Sequence, residues 1–370
     1  MPTVPVMDVL VVGAGLAGCS AAERLAEAGR NVLVMEARSH LAGHCHDHHD
    51  AHGVLVQRYG PHIFHTNSDE VLTHLSRFTA WRPYLHRVLT RIGDELLPFP
   101  INRTTINRLY GLTLDSAGVR AFLDKVREPR PHPRSSEDVL MATVGRDLYE
   151  RFFRHYTRKQ WGVDPAELEP EVAARVPVRL DDEDRYFSDR HQGIPVDGYT
   201  ALVQNMLDHP RIRLETSAPF TPSLHRSRAR QVIYTGPLDA WFGHSLGRLP
   251  YRSLRFEHWH EATRELAQPV AVVNYPAPEV PWTRITEFKH LTGQRCSGTS
   301  LVREISQAEG DPYYPIPTAA NRELAARYRV LANQEPDVVF AGRLAQYHYF
   351  NMDQAVAAGL LAARKLIGSA

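Results

Sequence analysis

Val9-Leu10-Val11-Val12-Gly13-Ala14-Gly15-Leu16-Ala17-Gly18, then an amphipathic Ala21–Ala28 stretch stopped by Gly29, then Val32-Leu33-Val34-Met35-Glu36, reads as strand, Gly-rich turn, helix and strand. In Gly13-x-Gly15-x-x-Gly18 the first glycine permits a tight turn and the second lets backbone approach a pyrophosphate. The third lets the helix pack close to the strand, with the helix N-terminus facing the anion. Glu36 ends the second strand at the spacing where a carboxylate accepts ribose hydroxyls, which favours an unphosphorylated ribose, FAD or NAD rather than NADP. The opening is that of a Rossmann-like unit.

Beyond it, helical periodicity runs through Ser68–Phe78, Thr104–Leu109, Ser116–Val126, Ser136–Tyr156 and Thr200–Leu207, with a Pro-rich break at Glu128–Arg134. From about Ile212 to Glu304, short runs such as Gln231–Tyr234, Ser253–Phe256, Val270–Tyr275 and Ser300–Glu304 predict sheet. The opening style then returns, with a strand at Val338–Ala341, a Gly342-Arg343 turn and a helix from about Met352 to Leu366. The expected organisation is a nucleotide-binding domain from 1–78, 196–235 and 330–370, a mainly helical substrate and lid domain at 79–185, and a mainly β-sheet domain at 236–329.

With 43% hydrophobic and 23% charged residues, the 370-residue chain is of globular type, roughly two to three domains long. Lys+Arg total 43 against 42 Asp+Glu, so no molecule-wide field attracts nucleic acid or an anionic membrane, and anion recognition has to be local. Cys19, Cys45 and Cys296 are odd in number and far apart, which argues against a disulfide framework or a thiolate zinc site and fits a reducing cytosol. His46–His49 has no Cys/Glu partner set, and no metal is expected. No export signal is read, nor an apolar run near the roughly 18 to 20 residues of a membrane span, so a soluble, cytoplasmic protein is expected.

Seven further segments occur in order: Tyr59-Gly60-Pro61-His62-Ile63-Phe64-His65-Thr66; Tyr156-Thr157-Arg158-Lys159-Gln160-Trp161-Gly162; Tyr186-Phe187 with Gln192-Gly193-Ile194-Pro195; Tyr234-Thr235-Gly236-Pro237; Thr283-Arg284-Ile285; Pro312-Tyr313-Tyr314-Pro315; and Gly342-Arg343-Leu344. From Val9 to Leu366 the chain resembles UDP-galactopyranose mutases of the bacterial type. The resemblance implies an α/β fold: an FAD-binding Rossmann-like domain with a helical insertion and an antiparallel-sheet substrate domain. It implies an isomerase of galactofuranose biosynthesis that interconverts UDP-galactopyranose and UDP-galactofuranose through an adduct between the sugar and N5 of reduced flavin. The cofactor implied is FAD, active as FADH−. The partners are a UDP-hexose and an external reductant such as NAD(P)H, with a homodimer compatible and no nucleic acid or membrane involved.

Carried onto this sequence, the resemblance places Arg175 and Arg284 on the two phosphates, a task suited to a permanently charged planar fork of donors. Tyr186, Tyr314 and Tyr349 match tyrosines that bond phosphate oxygens. Phe152 and Tyr156, spaced i, i+4, match the pair that packs on uracil, and Gln160 keeps the pattern of that helix. Trp161 matches a tryptophan on a mobile substrate-covering loop. His65 lies against the flavin near N5 with His62 nearby, and His86 falls close to the sugar. The cofactor set is Gly13, Gly15, Gly18, Glu36, Arg38, Gly43, His62, Arg343, Met352 and Asp353.

The chain departs from the pattern in three places. The usual Gly-Gly-Asn-x-Tyr-Asp is here Ala42-Gly43-His44-Cys45-His46-Asp47, which puts that loop's conformation in question. Asn351 stands where most members have Asp near the substrate. His155 replaces a usual Gly before the tyrosine assigned to the base, and either alters the fit of uracil or points to solvent. These departures keep open a mutase of the same mechanism on another nucleotide sugar. An FAD-dependent oxidoreductase of the amine-oxidase type shares the opening but leaves the Arg and Tyr positions unexplained, and the same set weighs against a non-catalytic flavoprotein.

Overall fold

The computed structural model describes residues 7–368; positions 1–6 and 369–370 of the nucleotide-binding assignment lie outside the described residues. Met7–Val12 pairs in parallel with Val32–Met35 on one side and Ala229–Tyr234 on the other, and Ile212–Glu215 and Val338–Phe340 complete a five-stranded parallel sheet. Val9 and Val11 pack into the core on one face, Leu10 and Val12 into that on the other, so both faces of the sheet are covered. The helix Leu16–Glu27 packs so tightly on the sheet that a Cβ on Gly18 would come 2.0 Å from the Gly13 carbonyl oxygen, the close approach expected of the third glycine. The closing helix Met352–Ile367 lies against Leu16–Glu27, which brings the end of the chain back to its beginning.

A second, seven-stranded sheet has the order Tyr314–Pro315, Tyr251–Glu261, Thr299–Gln307, Arg284–Glu287, Val272–Asn274, Val88–Ile92, Glu95–Phe99. All its pairs are antiparallel except Val272–Asn274 with Val88–Ile92. The hairpin Val88–Phe99 comes from the segment read as mainly helical: its apolar positions Val88, Leu97 and Phe99 are buried against the same core as Val272 and Val302. A three-stranded sheet of Phe64–Thr66, His191–Pro195 and Trp81–Pro83 lies between these regions in the chain.

The periodic stretch Ser136–Tyr156 is not one helix. Gly145, with φ +77°, ends Ser136–Val144, and the chain resumes as Arg146–Leu148, a wide π turn Tyr149–Arg154, and His155–Trp161. Apolar periodicity does not register the left-handed residue, because the buried face continues across it.

Candidate active site

A cavity of about 1020 Å³ is lined by Arg175, Arg284, His65, His86, Phe152, Tyr156, Gln160, Trp161, Tyr186, Tyr314, Tyr349 and Asn351, all expected on the substrate or at the reacting centre. His62, Arg343 and Met352, expected on the flavin, line it too. Gly13, Gly15, Gly18, Glu36, Arg38 and Gly43 stand apart from the cavity, at and beyond the C-terminal ends of Met7–Val12 and Val32–Met35. Asp353 lies in the first turn of the closing helix, and its carboxylate accepts the Thr66 hydroxyl at 3.0 Å.

The strand ends fit a dinucleotide. Gly15 and Gly43 face each other without side chains, and a Cβ on Gly43 would lie 3.1 Å from Gly15 Cα. No side chain caps the helix that starts after Gly15 and no acidic residue occupies its first turn, so no side chain of the helix itself takes the place of an anion there. Glu36 is buried and accepts the Ala14 and Arg38 N–H groups at 2.8 and 2.9 Å, which fixes its carboxylate beside this strip. The loop whose sequence departs from the pattern keeps a glycine-like shape: Ala42 takes φ +69° and Gly43–Cys45 forms a 3-10 turn. His44 stacks on Tyr313 at 4.2 Å between ring centroids.

Where the phosphates are expected, Arg284 Nε lies 3.1 Å from a carboxylate oxygen of Glu304, which is 1% exposed. The two residues face each other on neighbouring antiparallel strands. Burial raises the Glu304 pKa and the Arg284 charge opposes that rise. Arg175 instead is exposed; its guanidinium sits 3.9 Å over the Tyr349 ring and donates to the Tyr349 carbonyl at 3.3 Å. Tyr314 stacks on Tyr349, and Trp161 packs against both. Trp161 is not on a loop: it ends the helix His155–Trp161 and is buried, and the chain leaves the helix only at Gly162. Its ring packs against the stacked pair Tyr314 and Tyr349, a tertiary contact that the residue's place beside a glycine does not reveal.

Of the residues expected near the sugar and the flavin, His86 has its pKa lowered by burial to about 3 and His62 to about 4, so both imidazoles are neutral near pH 7. Burial pushes the Tyr186 phenol up to about 12, which keeps it a donor. His65 Nδ1 donates to Asp189 at 2.9 Å and its ring stacks on Phe187 at 3.7 Å. Phe152, 3% exposed, and the half-buried Tyr156, expected on the base, both line the cavity; the π turn that ends at Arg154 alters their relation on the helix from a plain i, i+4 pair. His155 does not line the cavity.

Glu304, Asp189 and Phe187 join the site without having been singled out as site residues. For Glu304 the signal is strand register opposite Arg284, which the linear sequence does not display. Gly60→Ala tests the Glu304 setting: Gly60 has φ +77°, and a Cβ there would come 2.7 Å from Glu304 Oε1. The left-handed backbone alone costs about 1–2 kcal/mol. A lowered thermal midpoint together with weaker nucleotide binding is expected; unchanged calorimetric and titration curves would contradict this packing.

Comparison with known proteins bears on these features directly. The family model described as UDP-galactopyranose mutase matches residues 151–349, and that of an NAD(P)-binding Rossmann-like domain matches 11–78. The chain is 36% identical to a probable UDP-galactopyranose mutase of Klebsiella pneumoniae over 98% of its own length and 95% of the relative's. It is 35% identical to a dTDP-fucopyranose mutase of Escherichia coli, covering 93% and 94% of the two chains. Among solved structures, that of a reduced UDP-galactopyranose mutase superposes with a TM-score of 0.77 at 17% identity, covering 98% of this chain and 96% of that one, a likeness of fold.

Proposed function

The chain belongs to the UDP-galactopyranose mutase family, and from that premise we propose that it is an isomerase interconverting UDP-galactopyranose and UDP-galactofuranose with FAD, active in the reduced form. The observation that carries the reading is the convergence of Arg175, Arg284, Tyr186, Tyr314 and Tyr349 on one cavity with the aromatic residues Phe152 and Tyr156. A diphosphate leaving group needs its charge matched more than it needs a proton, and two guanidiniums with three phenol donors supply that.

Gly13, Gly15, Gly18, Glu36, Arg38 and Gly43 hold the adenosine diphosphate side of FAD, and His62, His65, Arg343, Met352 and Asp353 the flavin side. Reduced FAD, when bound, supplies a nucleophilic nitrogen for the anomeric carbon without net oxidation of the sugar. The protein's part is electrostatic and geometric. Arg175 and Arg284 neutralise the diphosphate as its bond to the sugar lengthens, and the phenols hold its oxygens. His86 and Asn351 shape the polar surroundings of the hexose. Arg175, exposed at the end of the short helix Glu171–Ala174, completes the clamp from its place on Tyr349, so that seating this segment there couples closure to charge neutralisation. An external reductant such as NAD(P)H and homodimeric assembly belong to the same proposal.

The test is an anaerobic assay of dithionite-reduced protein, with products separated by chromatography. Ring-contracted product from UDP-galactopyranose is expected with reduced protein alone; equal turnover by the oxidised protein, or steady substrate-dependent oxygen consumption, counts against the mechanism. The similarity to a dTDP-fucopyranose mutase supports a second reading, the same reaction on a thymidine-linked deoxy sugar. Running both substrates in the panel separates the two.

Because His155 stays out of the cavity, UDP is expected to compete better than GDP or ADP. His155→Gly is expected to move that preference by no more than about 1–2 kcal/mol. Displacement titration with the three diphosphates checks this, and a purine preference that His155→Gly reverses overturns the uridine assignment.

A further inference from the structure

Lys159, in the middle of the Tyr156–Gly162 motif, has no part in the chemistry described above. Its Nζ donates to four backbone carbonyls, those of Tyr275, Ala277, Val280 and Trp282, at 2.5 to 3.0 Å. An ammonium carries three N–H groups, so this cage saturates it, and the loop 275–282 is wound around one charge. Burial lowers the pKa of this ammonium to about 8 against the pull of Glu279, so it is cationic at pH 7.

The cage joins two halves of the cavity. Lys159 lies on the helix that presents Tyr156, Gln160 and Trp161. The caged loop connects Val272–Asn274 to Arg284–Glu287, where Asn274 and Arg284 face each other and both line the cavity. The helix is held from its C-terminal end as well, because buried Arg252 donates to the carbonyls of Gln160 and Lys159 at 3.0 and 3.2 Å. A diphosphate linked to a base gains from touching both ends only when their spacing matches the ligand.

Building on the nucleotide-sugar reading, we propose that Lys159 is a positioning residue that sets the distance between the base end and the Arg284 phosphate site, and so selects a nucleoside diphosphate over its fragments. It touches no substrate; it acts through the loop that leads to Arg284.

The experiment is a displacement titration of the flavin-loaded, oxidised protein with UDP and with uridine, on wild type, Lys159→Met, Lys159→Ala and Arg284→Ala. Lys159→Met is expected to weaken UDP about tenfold or more and uridine less than about twofold, with flavin content unchanged. In Lys159→Ala, ammonium ion added to the buffer is expected to refill the carbonyl cage and restore UDP binding, whereas tetramethylammonium, which has no N–H, does not. A merely structural lysine would weaken both ligands together and would not be rescued. Equal loss for UDP and uridine, no loss for either, or no recovery with ammonium overturns the positioning role. If in the same series Arg284→Ala does weaken UDP, the functional reading stands; UDP binding indifferent to Arg284→Ala overturns that reading itself. Should Lys159→Met give no folded protein, Lys159→Ala prepared in ammonium carries the same comparison.

Discussion

Arg284→Ala is expected to lower turnover by roughly two to three decades, the usual loss when a charge-matched donor is removed from a developing anion. Its second effect is on stability. Glu304 is buried and its ion pair with Arg284 spans 3.1 Å, so the variant leaves a carboxylate with nothing to offset its lost hydration. Breaking such a pair from one side costs about 3–5 kcal/mol at neutral pH. The sign with pH follows from the direction of the shift. Burial already raises the Glu304 pKa above the ordinary carboxylate value, so the folded protein binds that proton more tightly than the unfolded chain does. Its contribution is most favourable in acid and is lost as pH rises from the ordinary carboxylate value through the raised value of folded Glu304. Removing Arg284 takes away the opposing influence and deepens that loss. The gap in thermal midpoint between wild type and variant is therefore expected to be narrow in acid and wide at neutral pH, and Arg284→Ala/Glu304→Gln is expected to regain stability without regaining rate. A pH-independent gap, or a double variant with restored turnover, contradicts the pairing.

Arg175→Ala is expected to cost a similar two to three decades in kcat but to leave the thermal midpoint and flavin content nearly unchanged. Its side chain is exposed and rests on the ring and carbonyl of Tyr349, so its removal strands no buried charge. The two arginines, equivalent in the chemistry proposed for them, thus separate cleanly in calorimetry. Near-normal kcat and KM in Arg175→Ala would show that the clamp does not include it.

What could be read from residues alone is what the chain builds from near neighbours. Gly13, Gly15 and Gly18 with Glu36 announce a dinucleotide turn because strand, turn, helix and strand follow one another without interruption, and each residue's task depends on its local backbone. The Leu16–Glu27 and Met352–Ile367 helices were legible for the same reason, since apolar spacing and a following glycine mark a helix wherever it ends up. The expected cavity residues came from the family resemblance that the ordered motifs carry, which matches residues in kind though not in contact.

Partnership across the chain was not legible. Arg175 meets Tyr349 across 174 positions, and Lys159 meets the carbonyls of a loop that begins 116 positions later. Glu304 becomes the counter-charge of Arg284 through the register of two antiparallel strands, and a slip of one residue would turn it to the other face. Likewise Gly145 divides a continuous apolar pattern, and the π turn after it sets where Phe152 and Tyr156 stand. Side-chain chemistry is carried by residue type and so survives in a linear string, whereas charge pairing, burial and spacing depend on which distant backbones pack together, and these emerge only when the sheets and helices close around the cavity.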